Sequence, residues 1–145
     1  MSRSLSSLTL DQLQMFLLNA VRGLNARPVE AHRIIQKVVT EMFARREQSP
    51  EFTPVLSLLG YNVRWKKWTA RDRQTILQWL IQADLGSVAD GLIPSPGIER
   101  ARYIYRTIRF WTRQYGRQLH MKDASARWQA DMAFLEQLSH EGFSA

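Results

Sequence analysis

Cysteine is absent from this 145-residue chain. Without it, a disulfide framework, an Fe–S centre and a thiol nucleophile are all excluded, and the composition fits a reducing compartment. Glycine is scarce, with seven residues spread singly. Neither G-x-x-x-x-G-K-[ST] nor G-x-G-x-x-G occurs, so no phosphate cradle of those kinds is expected. The three histidines, His32, His120 and His140, lie far apart and none stands in an H-E-x-x-H pattern. A zinc site would lack ligands, and neither a metal nor another cofactor is expected. No carboxylate pair is marked for acid–base work, so the chain does not read as an enzyme.

Long apolar runs are missing as well. The most apolar stretch, Leu10 to Leu24, is interrupted by Asp11, Gln12, Gln14, Asn19 and Arg22, whereas a membrane span needs about 20 apolar residues. The first ten residues hold Arg3 and several serines but no compact apolar core, so no secretory leader is read there. The expected location is intracellular, in the cytoplasm.

What the chain does have is helical periodicity, in a composition 45% hydrophobic and 23% charged that suffices for a buried core. Thr9 and Gln12 have capping-box spacing, and Leu10, Leu13, Phe16, Leu17, Ala20, Val21 and Leu24 then recur every three or four residues. This predicts a first helix over 10–24. Pro28 suits the first position of a second helix, with Ala31, Ile34, Ile35, Val38, Met42 and Phe43 on its apolar stripe and Ser49-Pro50 as its end. Thr53-Pro54 is expected to cap and open a short helix, Val55 to Leu59, closed by Gly60.

Thr69 and Asp72 frame a fourth helix with Ile76, Leu77, Leu80, Ile81 and Ala83 inward and Gly86 as its stop. A Gly- and Pro-containing loop follows from Gly86 to Gly97, a candidate hinge or subdomain boundary. From Ile98 a long helix is expected to reach about Leu119, with Ala101, Tyr105, Ile108, Thr112, Tyr115 and Leu119 on its apolar side. Asp123 or Ser125 is then expected to cap a last helix carrying Trp128, Met132, Leu135 and Leu138. No window alternates with period two, so the fold class is all-α. The expected architecture is a single-domain bundle of about five helices plus a short one over residues 9–141, with a flexible tail at 1–8 and a second tail at 142–145.

Charge is distributed unevenly. Lys and Arg number 20 against 13 Asp and Glu, a formal net charge of +7. From Gly97 to Lys122 there are seven cations and the single anion Glu99, leaving only +1 for the remaining 119 residues. At about 100° per residue, Arg102, Arg106, Arg109, Arg113 and Arg117 fall within roughly 80°, joined by His120. The apolar stripe is expected about 100° away on one flank, with Tyr103 and Phe110 near the other. Like charges three or four apart destabilise a helix by about 0.2–0.5 kcal/mol per pair. A row of four such pairs with no acid between them therefore points to an acidic surface opposite it.

A second cluster, Arg64-Trp65-Lys66-Lys67-Trp68 with Arg71, falls at the expected N-terminus of the fourth helix. Its indoles are able to stack a base while the cations and free helix N–H groups hold phosphate; the alternative is that Trp65 and Trp68 plug the core. A helix-turn-helix reader is not supported, since Gly91, Pro94 and Pro96 break the second helix after Ala83–Ala89. The stretches Ser49-Pro50-Glu51-Phe52 and Ile93-Pro94-Ser95-Pro96 resemble the way retroviral capsid domains join short helices, and no residue or function is carried over from that resemblance.

The expected function is nucleic-acid binding, RNA or DNA, mainly through phosphate contacts from the Arg-rich helix, alone or as a subunit of a larger complex. The alternative is an assembly subunit, of viral structural type among others. Its Arg face would dock an acidic protein, or its helices would form a homo-oligomer.

Overall fold

Two of the helices open at side-chain capping boxes. In the computed structural model, which describes residues 5–48, 54–63 and 68–139, the Thr9 hydroxyl accepts the Gln12 N–H (3.1 Å) and the Gln12 side chain accepts the Thr9 N–H (2.8 Å). That box opens α1, Leu10–Arg22. Pro28 is the first residue of α2, Pro28–Gln48, where its missing N–H costs nothing. The short α3 spans Val55–Leu58. A second capping box, Thr69 with Asp72, opens α4, Ala70–Gln82. α5 is Ile98–Tyr115 and α6 is Lys122–Leu138. Three 3-10 turns, Leu5–Ser7, Ser87–Ala89 and Leu119–Met121, complete the set, and the described residues contain no strand. The fold is all-α, and no described helix is long and apolar enough to cross a membrane.

The chain forms two compact units, each built from two separate stretches: residues 1–61 with 84–92, and residues 62–83 with 93–145. In the first, α1 packs on α2, and α2 also meets α3 and the two 3-10 turns of that unit. Leu13, Leu17, Leu18, Val38, Val39 and Met42 are buried, each worth about 1.5–3 kcal/mol when fully removed from water. Gln14 donates to the carbonyls of Ser57 and Leu58 (both 3.2 Å), satisfying the open end of α3. Gly60, at φ 107°, takes the left-handed position past α3; its N–H meets the Ser57 carbonyl while that of Tyr61 reaches Leu56.

In the second unit α6 packs on α5 and α4. Ile76, Leu77, Leu80 and Ile81 of α4, Ile104 and Ile108 of α5, and Trp128 and Leu135 of α6 are buried. Trp111 and Trp128 lie with ring centroids 6.1 Å apart, tilted by 35°, within the range of favourable aromatic pairs.

Several boundaries differ from the sequence reading. Within the expected tail, of which residues 1–4 lie outside the described residues, Leu5–Ser7 form a 3-10 turn, and Arg45 of α2 donates to the carbonyls of Leu5 (3.0 Å) and Ser6 (3.3 Å). Pro54 stands before α3 rather than in its first turn, and the expected Ser49-Pro50 stop and Thr53 cap lie outside the described residues. α4 ends at Gln82, not at Gly86, because its last carbonyls find partners from the far side of the loop. Arg100 donates to those of Leu80 (2.9 Å) and Ala83, and the Gly97 N–H to that of Ile81 (2.8 Å). α5 stops at Tyr115, with Gly116 closing it, and α6 begins at Lys122 with no side-chain cap, so neither Asp123 nor Ser125 serves as one. Phe16 and Ile34, expected inward, are exposed, and Val39 takes the inward place on α2. In α6 the buried residues are Ala124, Trp128, Asp131 and Leu135; Met132 and Leu138 are half-buried.

Candidate nucleic-acid interface

The two units divide the charge unequally. By sequence the first holds seven Lys and Arg against seven Asp and Glu; the second holds thirteen against six, and so carries the whole +7. Within the second unit, α5 supplies the densest row.

The rotation of α5 is set by its buried residues, Arg100, Ile104 and Ile108. That direction differs from the expected stripe: Tyr115 is exposed, and Leu119, outside the helix, is 81% exposed. Taking Ile104 as zero at about 100° per residue, Arg109, Arg102, Arg113 and Arg106 lie at about 140°, 160°, 180° and 200°. The row thus points almost opposite to the buried face rather than 100° from it. It runs about 16 Å along the helix, from Arg102 to Arg113.

All four side chains are exposed and none takes part in an ion pair or hydrogen bond with any described residue. Three acids of this unit are engaged elsewhere. Asp131 is paired with Arg73, Asp72 caps α4, and Glu136 accepts the Tyr105 hydroxyl at 2.6 Å. Glu99, one turn before Arg102, is exposed and beyond ion-pair reach of it. Three like-charge pairs remain, costing roughly 0.6–1.5 kcal/mol together. Burial of Ile104 and Ile108, at about 1.5–3 kcal/mol each, outweighs that and holds the row in place.

Other residues of the sequence reading sit apart from the row. Arg117 and His120 are exposed but lie past the end of α5, so they leave the helical face. Of the second cluster, Arg64, Trp65, Lys66 and Lys67 lie outside the described residues. Trp68 is 6% exposed, its ring held in the core, and offers no open face for a base. Arg71 is exposed in the first turn of α4, on a separate helix. Two arginines that read in sequence like the others, Arg73 and Arg100, are buried and structural.

Phe110 is the one residue of the site whose standing the sequence understated. It is 58% exposed, at about 240° on the same scale, adjoining Arg106 and Arg113. Among the described residues no group of His, Asp and Glu is arranged to hold a metal ion.

The fold and this face define a small all-helical protein with one strongly cationic helix. Compared with protein-family models, with curated proteins and with solved structures, the chain matches none.

Proposed function

We propose that this protein binds nucleic acid through the exposed arginine row of α5, chiefly by phosphate contacts. The observation that carries this reading is the row itself: Arg102, Arg106, Arg109 and Arg113 point outward together and make no ion pair with the described residues. An unneutralised row of this kind is a standing cost unless an anion completes it. Guanidinium forks fit phosphate oxygens bidentately, and a polyanion supplies phosphates along the whole 16 Å. A duplex presents about one charge per 1.7 Å of its axis, dense enough to meet every arginine.

The test is the salt dependence of binding. Four phosphate contacts give a log–log slope near −4 on duplex, or near −3 on single strands, so raising salt from about 50 to 200 mM lowers affinity on the order of 10²-fold. Replacing Arg106 and Arg109 with Ala lowers the slope by roughly two and weakens all sequences alike, with helicity unchanged. If the double variant binds nucleic acid as the parent does but loses a protein partner or its oligomeric state, the face is an assembly surface and the reading fails.

A further inference from the structure

We infer that Phe110 is a stacking platform for an unpaired base, which makes single-stranded nucleic acid the preferred ligand of the α5 face. This rests on the reading of the arginine row as a phosphate-binding surface. Phe110 is 58% exposed and lies about 120° from the buried direction of α5, so it contributes little to the core. Arg106 precedes it by four residues and Arg113 follows it by three, the two spacings that bring helical side chains together. A strand whose phosphates lie along the row therefore runs beside the ring. Exposed apolar residues such as Val29 stand outside the α5 face; among the described residues, Phe110 alone combines an open aromatic ring with cations on both sides along the same ridge.

Strand type follows from what the ring can gain. In a duplex the bases already stack on one another and the backbone shields them, so a Phe beside the phosphates finds no partner. A single strand turns its bases out, and base–aromatic stacking is worth about 1–3 kcal/mol per base without regard to sequence, a factor of roughly 5 to 150 in affinity. Tyr103, seven residues earlier on the same flank and half-buried, lies about 10 Å along the axis from Phe110, one further aromatic edge beside the path.

The experiment compares three labelled ligands at low salt by fluorescence anisotropy: an oligothymidine of about 12 nucleotides, within the usual range of single-strand footprints, an abasic strand of the same length and charge, and a duplex. The oligothymidine binds at least about fivefold tighter than the abasic strand. Phe110→Ala removes that difference and leaves the salt slope unchanged, while Phe110→Trp restores it. Circular dichroism of each variant confirms that helicity is retained. Equal binding of oligothymidine and abasic strand, tighter binding of the duplex, or indifference to Phe110→Ala overturns the stacking platform while leaving the arginine row standing. Absence of binding to all three ligands overturns the arginine reading itself, and the platform with it.

Discussion

Arg73 and Asp131, 58 positions apart in the chain, meet as a buried fork: Nε to Oδ2 at 2.8 Å and Nη2 to Oδ1 at 3.5 Å. The pair ties the first turns of α4 to the middle of α6. Arg73 also donates to the Trp68 carbonyl at 3.4 Å, so the guanidinium orders the approach to α4 as well. Removing one member leaves the other charged and desolvated. Asp131→Ala is therefore expected to cost about 3–5 kcal/mol, and the double change of Arg73 and Asp131 to Leu less than either single change. Denaturant midpoints of the three variants check this; a double variant less stable than both singles contradicts it.

Arg100 has the same residue type as Arg102 and the opposite role. It donates to the carbonyls of Pro94 (2.9 Å), Leu80 (2.9 Å) and Ala83. Arg100→Ala leaves buried carbonyls without those donors and is expected to cost about 2–4 kcal/mol, whereas Arg102→Ala changes stability by less than about 0.5 kcal/mol. Arg100→Lys rescues little, because one ammonium does not reproduce the fork. Thermal midpoints distinguish the two sites.

Gly116 closes α5 at a place where a side chain does not fit. A Cβ there overlaps the Thr112 carbonyl oxygen and comes to 3.0 Å from the Ser125 hydroxyl. Gly116→Ala is expected to destabilise the protein by about 1–3 kcal/mol as the backbone shifts. A neutral or stabilising effect in urea unfolding contradicts that packing.

The hydrogen bond to Glu136 raises the Tyr105 phenol above its ordinary value of 10.0, with burial and the Glu136 charge adding to the rise and Arg109 opposing it. The folded state thus holds this proton more tightly than the unfolded chain. The contribution is complete below about pH 10 and is lost as pH climbs through the folded-state titration. An ultraviolet tyrosinate titration of wild type against Tyr105→Phe isolates this phenol, and Glu136→Gln is expected to bring its titration back toward the ordinary value.

The Thr69 cap is expected to matter by about 1 kcal/mol when replaced with Ala, as at other N-caps. Thr69→Asp keeps an acceptor for the Asp72 N–H and retains most of the stability. Hydrogen exchange in the first turn of α4 reads the difference locally.

Residue order alone determined the helices, because periodicity and caps are local. The Thr9–Gln12 and Thr69–Asp72 boxes, Pro28 at the head of α2 and Gly60 after α3 each act within a few residues, and the structure has them where the spacing indicated. The clustering of Arg102, Arg106, Arg109 and Arg113 on one face follows from the same arithmetic.

Tertiary structure decided which cations are free. Arg73 and Arg100 belong to the same basic runs as Arg71 and Arg102, yet they turn inward, because their partners come from elements 58 and 17–20 positions away. The rotation of α5 was likewise settled by packing. Three-and-four spacing allowed Tyr105, Thr112 and Leu119 as its inward face, but the buried residues are Arg100, Ile104 and Ile108, and their direction turns the arginine row from the flank to the outside. Local spacing limits which side chains share a face; which face is buried depends on surfaces far away in sequence.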